Sequence, residues 1–182
     1  LLPALFLLMV VLGALQGAVA FRSLSAMTGH IERIGTDRMP QLSAILQLSH
    51  AFSDLNAIYA EHLLSMDPDE IGRIEARIKE RTEAFEAMVK THAADNSGDA
   101  AAIAGIDTIK TTLTTYLEEA AKLVQFSAIG AKGPALDIYK GSMKASADAI
   151  TAALNALVAH TQAVTDETIE TARAEEGSAF AL

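Results

Sequence analysis

Residues Pro134 to Leu182 read PALDIYKGSMKASADAITAALNALVAHTQAVTDETIETARAEEGSAFAL. No proline interrupts the stretch after Pro134, and its only glycines are Gly141 and Gly177. Apolar residues recur at Leu136, Tyr139, Met143, Ile150, Leu154, Leu157, Val164 and Ile169. Steps of mostly three or four keep side chains on one helix face, so the stretch is read as one long helix. Past Glu175 and Glu176 the chain turns apolar, and residues 177–182 are read as the start of a second membrane-spanning helix, cut short.

The opposite end of the chain carries a matching run. Residues 1–21 contain no charge, and Gln16 is their one strongly polar residue. As a helix rising ~1.5 Å per residue they would reach ~31 Å, about the thickness of a bilayer's hydrocarbon core. The run is read as a first transmembrane helix truncated at its start. A secretory signal is the competing reading, because Ala18-Val19-Ala20 resembles a cleavage site, although the apolar part of a signal is usually only ~7 to 15 residues long. With neither cytoplasmic flank in the sequence, charge bias gives no membrane orientation.

Between these runs the composition is that of a helical domain. The chain has 182 residues, 51% of them hydrophobic and only 5% aromatic, which suits an all-α protein better than a sheet protein. A formal charge of -9 argues against nucleic acid, since phosphate binding needs clustered Lys and Arg. The absence of cysteine excludes disulfides, thiol nucleophiles and thiolate metal sites.

The first helix continues from the apolar run through Leu24, Met27, Ile31 and Ile34, with a kink expected at Arg38-Met39-Pro40 because an interior proline removes a ladder bond. Leu42, Ile45, Leu48, Phe52, Leu55, Tyr59 and Leu63 then restore the stripe. The second helix starts at Asp67-Pro68, with Asp67 as cap, Pro68 in the first helical position and Glu70 completing a capping box. Its face reads Ile71, Ile74, Ile78, Phe85, Met88 and His92, and Asn96-Ser97-Gly98-Asp99 ends it, with Gly98 available for a left-handed turn. The third helix runs through Ile103, Ile106, Ile109, Leu113, Tyr116, Ala120, Leu123 and Ile129, and the Pro134 stretch is the fourth.

Four stripes joined by short polar connections predict an antiparallel up-down-up-down four-helix bundle, with membrane-spanning extensions of the first and last helices. The sensor domain so defined is residues 22–176. The Met66-Asp67-Pro68 and Gly130–Gly133 turns share its far end. Both membrane segments share the other end with the Asn96-Ser97-Gly98 turn. Many small residues favour a homodimer along the first and fourth helices.

Three local sequences fit one family in their order and spacing: Arg38-Met39-Pro40-Gln41-Leu42, Asp54-Leu55-Asn56 to His62-Leu63-Leu64, and Ala156-Leu157-Val158-Ala159-His160-Thr161-Gln162-Ala163. Together they resemble the four-helix-bundle sensor region of methyl-accepting chemotaxis proteins. The resemblance implies a homodimeric receptor of the bacterial inner membrane with its bundle in the periplasm. It further implies that the fourth helix passes a displacement to the chemotaxis kinase and its adaptor through parts beyond Leu182. The same bundle could instead serve a membrane histidine kinase or cyclase, or be a structural bundle without ligand.

No catalytic or cofactor chemistry is expected. His30, His50, His62, His92 and His160 fit neither the Glu-x-x-His pairs of di-iron bundles nor the paired histidines of zinc hydrolases. No nucleophile elbow or phosphate loop occurs, so the chain is read as no enzyme, with no metal and no cofactor. A small-ligand site is expected in the far half. Counting from the far turns places Asn56, Tyr59, Arg73, Arg77, Tyr116, Tyr139 and Lys144 within a few turns of one another. Guanidinium groups pair bidentately with carboxylates and tyrosine hydroxyls add directed bonds, so an organic acid or amino acid is the expected ligand, delivered free or by a periplasmic binding protein. The competing reading of Arg73, Arg77 and Arg81 is a solvated face beside Glu75, Glu80 and Glu83, and that of the tyrosines is core packing. His62 and His92, on apolar faces, are read as core histidines with satisfied partners.

Overall fold

The computed structural model describes residues 39–179, with side chains to residue 174, together with Met9, Gly13, residues 16–18, Phe21, Arg22, Ser25 and Thr28. Over residues 39–179 four helical limbs follow in order: α1 (Met39–Leu64), α2 (Pro68–Asp95), α3 (Ala100–Ala128), and a fourth limb made of α4 (Lys132–Ile138), a π turn (Tyr139–Met143) and α5 (Lys144–Ala179). Most of the expected membrane runs, 1–21 and 177–182, the stripe at Leu24, Met27, Ile31 and Ile34, and Arg38 of the expected kink lie outside the described residues. Among the described residues no helix is long and apolar enough to cross a membrane.

The helix starts follow from side-chain capping. Asp67 accepts a hydrogen bond from the Asp69 amide at 2.9 Å, and Pro68, which has no N–H to satisfy, opens α2. Asp99 caps α3 by accepting from the Ala101 and Ala102 amides, both at 3.0 Å. The expected capping box is replaced by a longer reach, in which Glu70 takes the Ser65 hydroxyl at 2.6 Å.

The left-handed turn residue is Gly130, at φ 79°, and not Gly98. Ala131 donates to the Phe126 carbonyl and Gly130 to that of Ser127, the paired bonds of a Schellman stop, and only glycine takes that backbone without a Cβ clash. At the other turn the Asn96 side chain bonds the His92 carbonyl at 2.8 Å and the Asp99 amide bonds the Asn96 carbonyl at 2.9 Å. The turn thus closes without positive φ. Ile129, expected on the third stripe, lies past the helix end and is 79% exposed.

The fourth limb departs from a single α-helix. It begins two residues before Pro134, which falls in the first turn where its missing N–H costs nothing. The π turn then inserts slack before α5.

By contacts the chain divides into two units, Gln41–His160 and a second made of Leu1–Pro40 with Thr161–Leu182. The first holds the core. Phe52 meets Phe85 and His62 meets Glu75, so α1 and α2 run antiparallel. Asp99 meets His160, Gly105 approaches Leu157, and Glu119 meets Ser142, so α3 and the fourth limb are antiparallel too. Leu55, Phe85, Tyr116, Leu123, Met143 and Ile150 are fully enclosed, and Val89 joins them although the second-helix stripe did not include it. In the second unit α5 carries Thr165, Thr168 and Thr171, whose hydroxyls donate to carbonyls four residues back, a habit that bends helices slightly.

Candidate functional site

An aromatic ladder fixes the middle of the Gln41–His160 unit. Tyr116 meets Phe52 edge-on at 5.3 Å and Tyr59 at 5.8 Å, and Phe52 packs on Phe85 at 5.6 Å. Edge-to-face contact places ring hydrogens against the neighbour's electron-rich face. The Tyr116 hydroxyl donates to Asn56 Oδ1 at 3.1 Å. Burial pushes the Tyr116 and Tyr59 phenols upward, so both remain neutral donors.

The sequence-predicted residues therefore separate into two sets. Asn56, Tyr59 and Tyr116 are brought together, and Tyr139 is near enough to act electrostatically on Tyr116. Tyr59 and Tyr116 are core residues, with 3% and 0% exposure. Arg73 is exposed on α2, and Arg77 reaches across to Glu61 of α1 at 2.8 Å, with both members of that pair half-exposed. Lys144 pairs with Asp148 one turn on, at 2.6 Å.

Beside Asn56 a groove of about 230 Å³ opens between α1 and α5. Phe52 and Leu154 contribute apolar wall, while Ser49, Ser53 and Asn56 on α1 face Asp148, Thr151 and Asn155 on α5. The Thr151 hydroxyl is turned back to the Ala147 carbonyl at 2.9 Å, which leaves its oxygen as an acceptor. Hydroxyls and amides can each donate and accept, and Asp148 with Lys144 adds one charge of either sign at the edge. The volume lies below the ~300 to 1,000 Å³ of drug-sized sites, so the groove suits a solute of few heavy atoms. Ser49, Ser53, Asp148, Thr151 and Asn155 were not among the sequence-predicted residues. The available signal was a set of short polar side chains flanking the Leu48, Phe52 and Leu154 stripes.

At the π turn the fourth limb is pinned to α3. Ser142, in the π turn, donates to Glu119 at 2.5 Å, and Lys122 pairs with the same carboxylate at 2.6 Å. Lys122, then Ser142, holds the Glu119 carboxyl below its usual range. Nearer the other turn, Asp99 Oδ2 lies 2.8 Å from His160 Nε2. His92 is buried, which pushes its imidazole toward the neutral form. Its Nδ1 faces Asn96 at 3.3 Å, but its Nε2 has no partner, so it is not a fully satisfied core histidine.

Residues 2–175 match the family model of a four helix bundle sensory module for signal transduction. A search of curated proteins finds no match to the chain.

Proposed function

The chain belongs to the family of four-helix-bundle sensory modules for signal transduction, and from that premise we propose that it is the sensor region of a bacterial chemoreceptor. In this reading the bundle faces the periplasm as a homodimer held in the inner membrane by its first and last helices. It binds a small organic acid or amino acid and controls the chemotaxis kinase and adaptor through parts beyond Leu182. The observation that carries it is the polar groove between α1 and α5, since α5 is the helix that continues to Ala179. A solute touching both helices favours whichever placement of α5 it contacts better, and shifts the equilibrium by that difference in affinity alone. Asn56 is the first contact proposed, with Tyr116 and Tyr59 fixing its orientation from behind. Lys144 does not line the groove but pairs with its Asp148, and is proposed to exchange that partner for the solute's carboxylate, while Tyr139 tunes the limb through the π turn. Arg73 and Arg77 do not line the groove, so they steer the anion from the exposed face of α2.

The test is calorimetric titration of the full chain with organic acids and amino acids. Binding abolished by Asn56→Ala and Asn155→Ala, with helix content unchanged, supports the reading. Binding that survives both substitutions removes the groove from it.

A second reading, capture of a periplasmic binding protein, is favoured by Leu64, Met66 and Ile129, exposed at 80%, 76% and 79% on two turns. Lys132 Nζ joins these turns, bonding the Ser65 carbonyl and the Ser127 hydroxyl, both at 2.8 Å. Exposed apolar residues gathered at one end are typical of a protein contact. It predicts a complex with a solute-loaded binding protein that Met66→Asp abolishes.

A further inference from the structure

Where the Leu64–Pro68 and Ile129–Lys132 turns meet, four limbs contribute to one buried polar cluster. His62 of α1 is fully enclosed. Its Nδ1 lies 3.0 Å from the Ser127 hydroxyl of α3, and its Nε2 lies 3.3 Å from Glu75 of α2. The Ser127 oxygen is also 3.0 Å from the His62 carbonyl and accepts from Lys132 Nζ at 2.8 Å. Lys132, in the first turn of α4, donates further to the Ser65 carbonyl at 2.8 Å and to that of His62 at 3.3 Å. Ser65 in turn donates to Glu70. Lys132 thus supplies positive charge to carbonyls at the end of α1, which have no helical partners of their own.

Counting hydrogens identifies the proton-rich form. Ser127 has one hydroxyl hydrogen and two close neighbours on His62, the carbonyl oxygen and Nδ1. If the hydrogen goes to the carbonyl, Nδ1 must itself carry a hydrogen and donate to Ser127. Nε2 faces a carboxylate and must donate as well. All these contacts are hydrogen bonds together only when both ring nitrogens are protonated. In the neutral ring with the hydrogen on Nε2, Ser127 must turn its hydrogen to Nδ1, and its contact with the His62 carbonyl loses the hydrogen that made it a bond. The protonated cluster also balances its charges, with His62 and Lys132 against Glu70 and Glu75. Burial of the ring and the Lys132 charge oppose the added proton, and the two carboxylates favour it. Glu75 is 45% exposed, which gives the proton a route to solvent.

We propose that His62 is a proton-binding site, through which this end of the bundle couples external acidity to the anchoring of the fourth limb. Proton uptake sets the Ser127 hydroxyl on the α1 carbonyl and completes the clamp that also holds the first turn of α4. Loss of the proton releases that one bond. The proton site does not depend on the groove reading, and only its signalling output rests on the sensory role of the chain.

The experiment is nitrogen-detected NMR of the histidine rings in the full chain over about pH 5 to 8, where histidine changes charge. The expected result is a doubly protonated His62 ring at the acid end and an Nε2–H ring at the other, with Ser127 and Lys132 amide signals moving at the same midpoint. Glu75→Gln, at a half-exposed position, should move that midpoint to lower pH and leave the fold intact. His160→Gln should leave the transition unchanged. A His62 ring that keeps one neutral form throughout overturns the proposal, as do Ser127 and Lys132 signals that ignore the transition. Solute binding plays no part in this readout, so failure of the groove leaves it standing.

Discussion

Gly105 sits inside α3, where a glycine costs ~1 kcal/mol relative to alanine, so by helix propensity alone Gly105→Ala should stabilise the protein. The packing opposes this. A Cβ at Gly105 would lie 2.7 Å from Leu157 Cδ2 and 3.0 Å from its Cγ, where carbon atoms prefer ~3.5 to 4.0 Å. Leu157 is 2% exposed and has little room to retreat. Overpacking of this kind costs ~1 to 3 kcal/mol, which leaves a net loss of ~1 kcal/mol after the propensity gain. Leu157→Ala alone should cost ~2 to 5 kcal/mol through the cavity it leaves. In that background the same Gly105→Ala should stabilise by up to ~1 kcal/mol, since the methyl group enters vacated space. Urea unfolding of the four proteins closes the cycle, with an expected coupling of ~1 to 3 kcal/mol. Equal stabilisation by Gly105→Ala in both backgrounds would show that α3 and α5 do not make the close approach at Gly105 and Leu157.

Four further outcomes are expected. Asp99→Ala should cost ~1 kcal/mol of stability, because two amides of α3 lose their acceptor. The Asp99 carboxyl is held below its ordinary range, first by the Ala102 amide and then by His160. Its contribution is therefore present above the unfolded value of ~3.9 and lost as pH falls through the lowered folded value, so the substitution should flatten the acid limb of a stability-pH curve. Tyr116→Phe should cost ~0.5 to 1.5 kcal/mol by denaturant melting, through the lost bond to Asn56. Phe85→Ala, at a fully enclosed ring, should cost ~3 to 5 kcal/mol in the same assay. Arg77→Ala should change stability by no more than ~1 kcal/mol, since its pair with Glu61 is half in solvent.

Much of the fold could be read from residue order. The stripe through Ile45, Leu48, Phe52 and Leu55 lies in the core, and Asp67-Pro68 opens a helix as their chemistry requires. The turn conformations were less accessible, because two polar side chains competed with glycine for the work. Asn96 and Asp99 close the second turn by hydrogen bonding, which leaves the left-handed position to Gly130. The π turn was hidden because Leu136, Tyr139 and Met143 keep helical spacing through it. In the site, counting turns brought Asn56, Tyr59 and Tyr116 to one height, since equal distances from the far turns translate into neighbouring positions. Counting could not tell a tyrosine that lines a cavity from one that fills the core. Ser49, Ser53 and Asn155 look like solvated helix surface until α1 and α5 are set side by side. Arg77 suggested pairing along its own helix, whereas its partner is Glu61 on the neighbour.

Solute binding between α1 and α5 is tested most directly by a thermal-stability screen of the full chain against organic acids, amino acids and amines. A solute held in the groove at ~100 times its dissociation constant should add ~2.7 kcal/mol to stability. An acid or amino acid is expected to give this shift, and Asn56→Ala and Asn155→Ala to remove it. A folded chain that no solute stabilises, or a shift that survives both substitutions, would contradict binding in the groove.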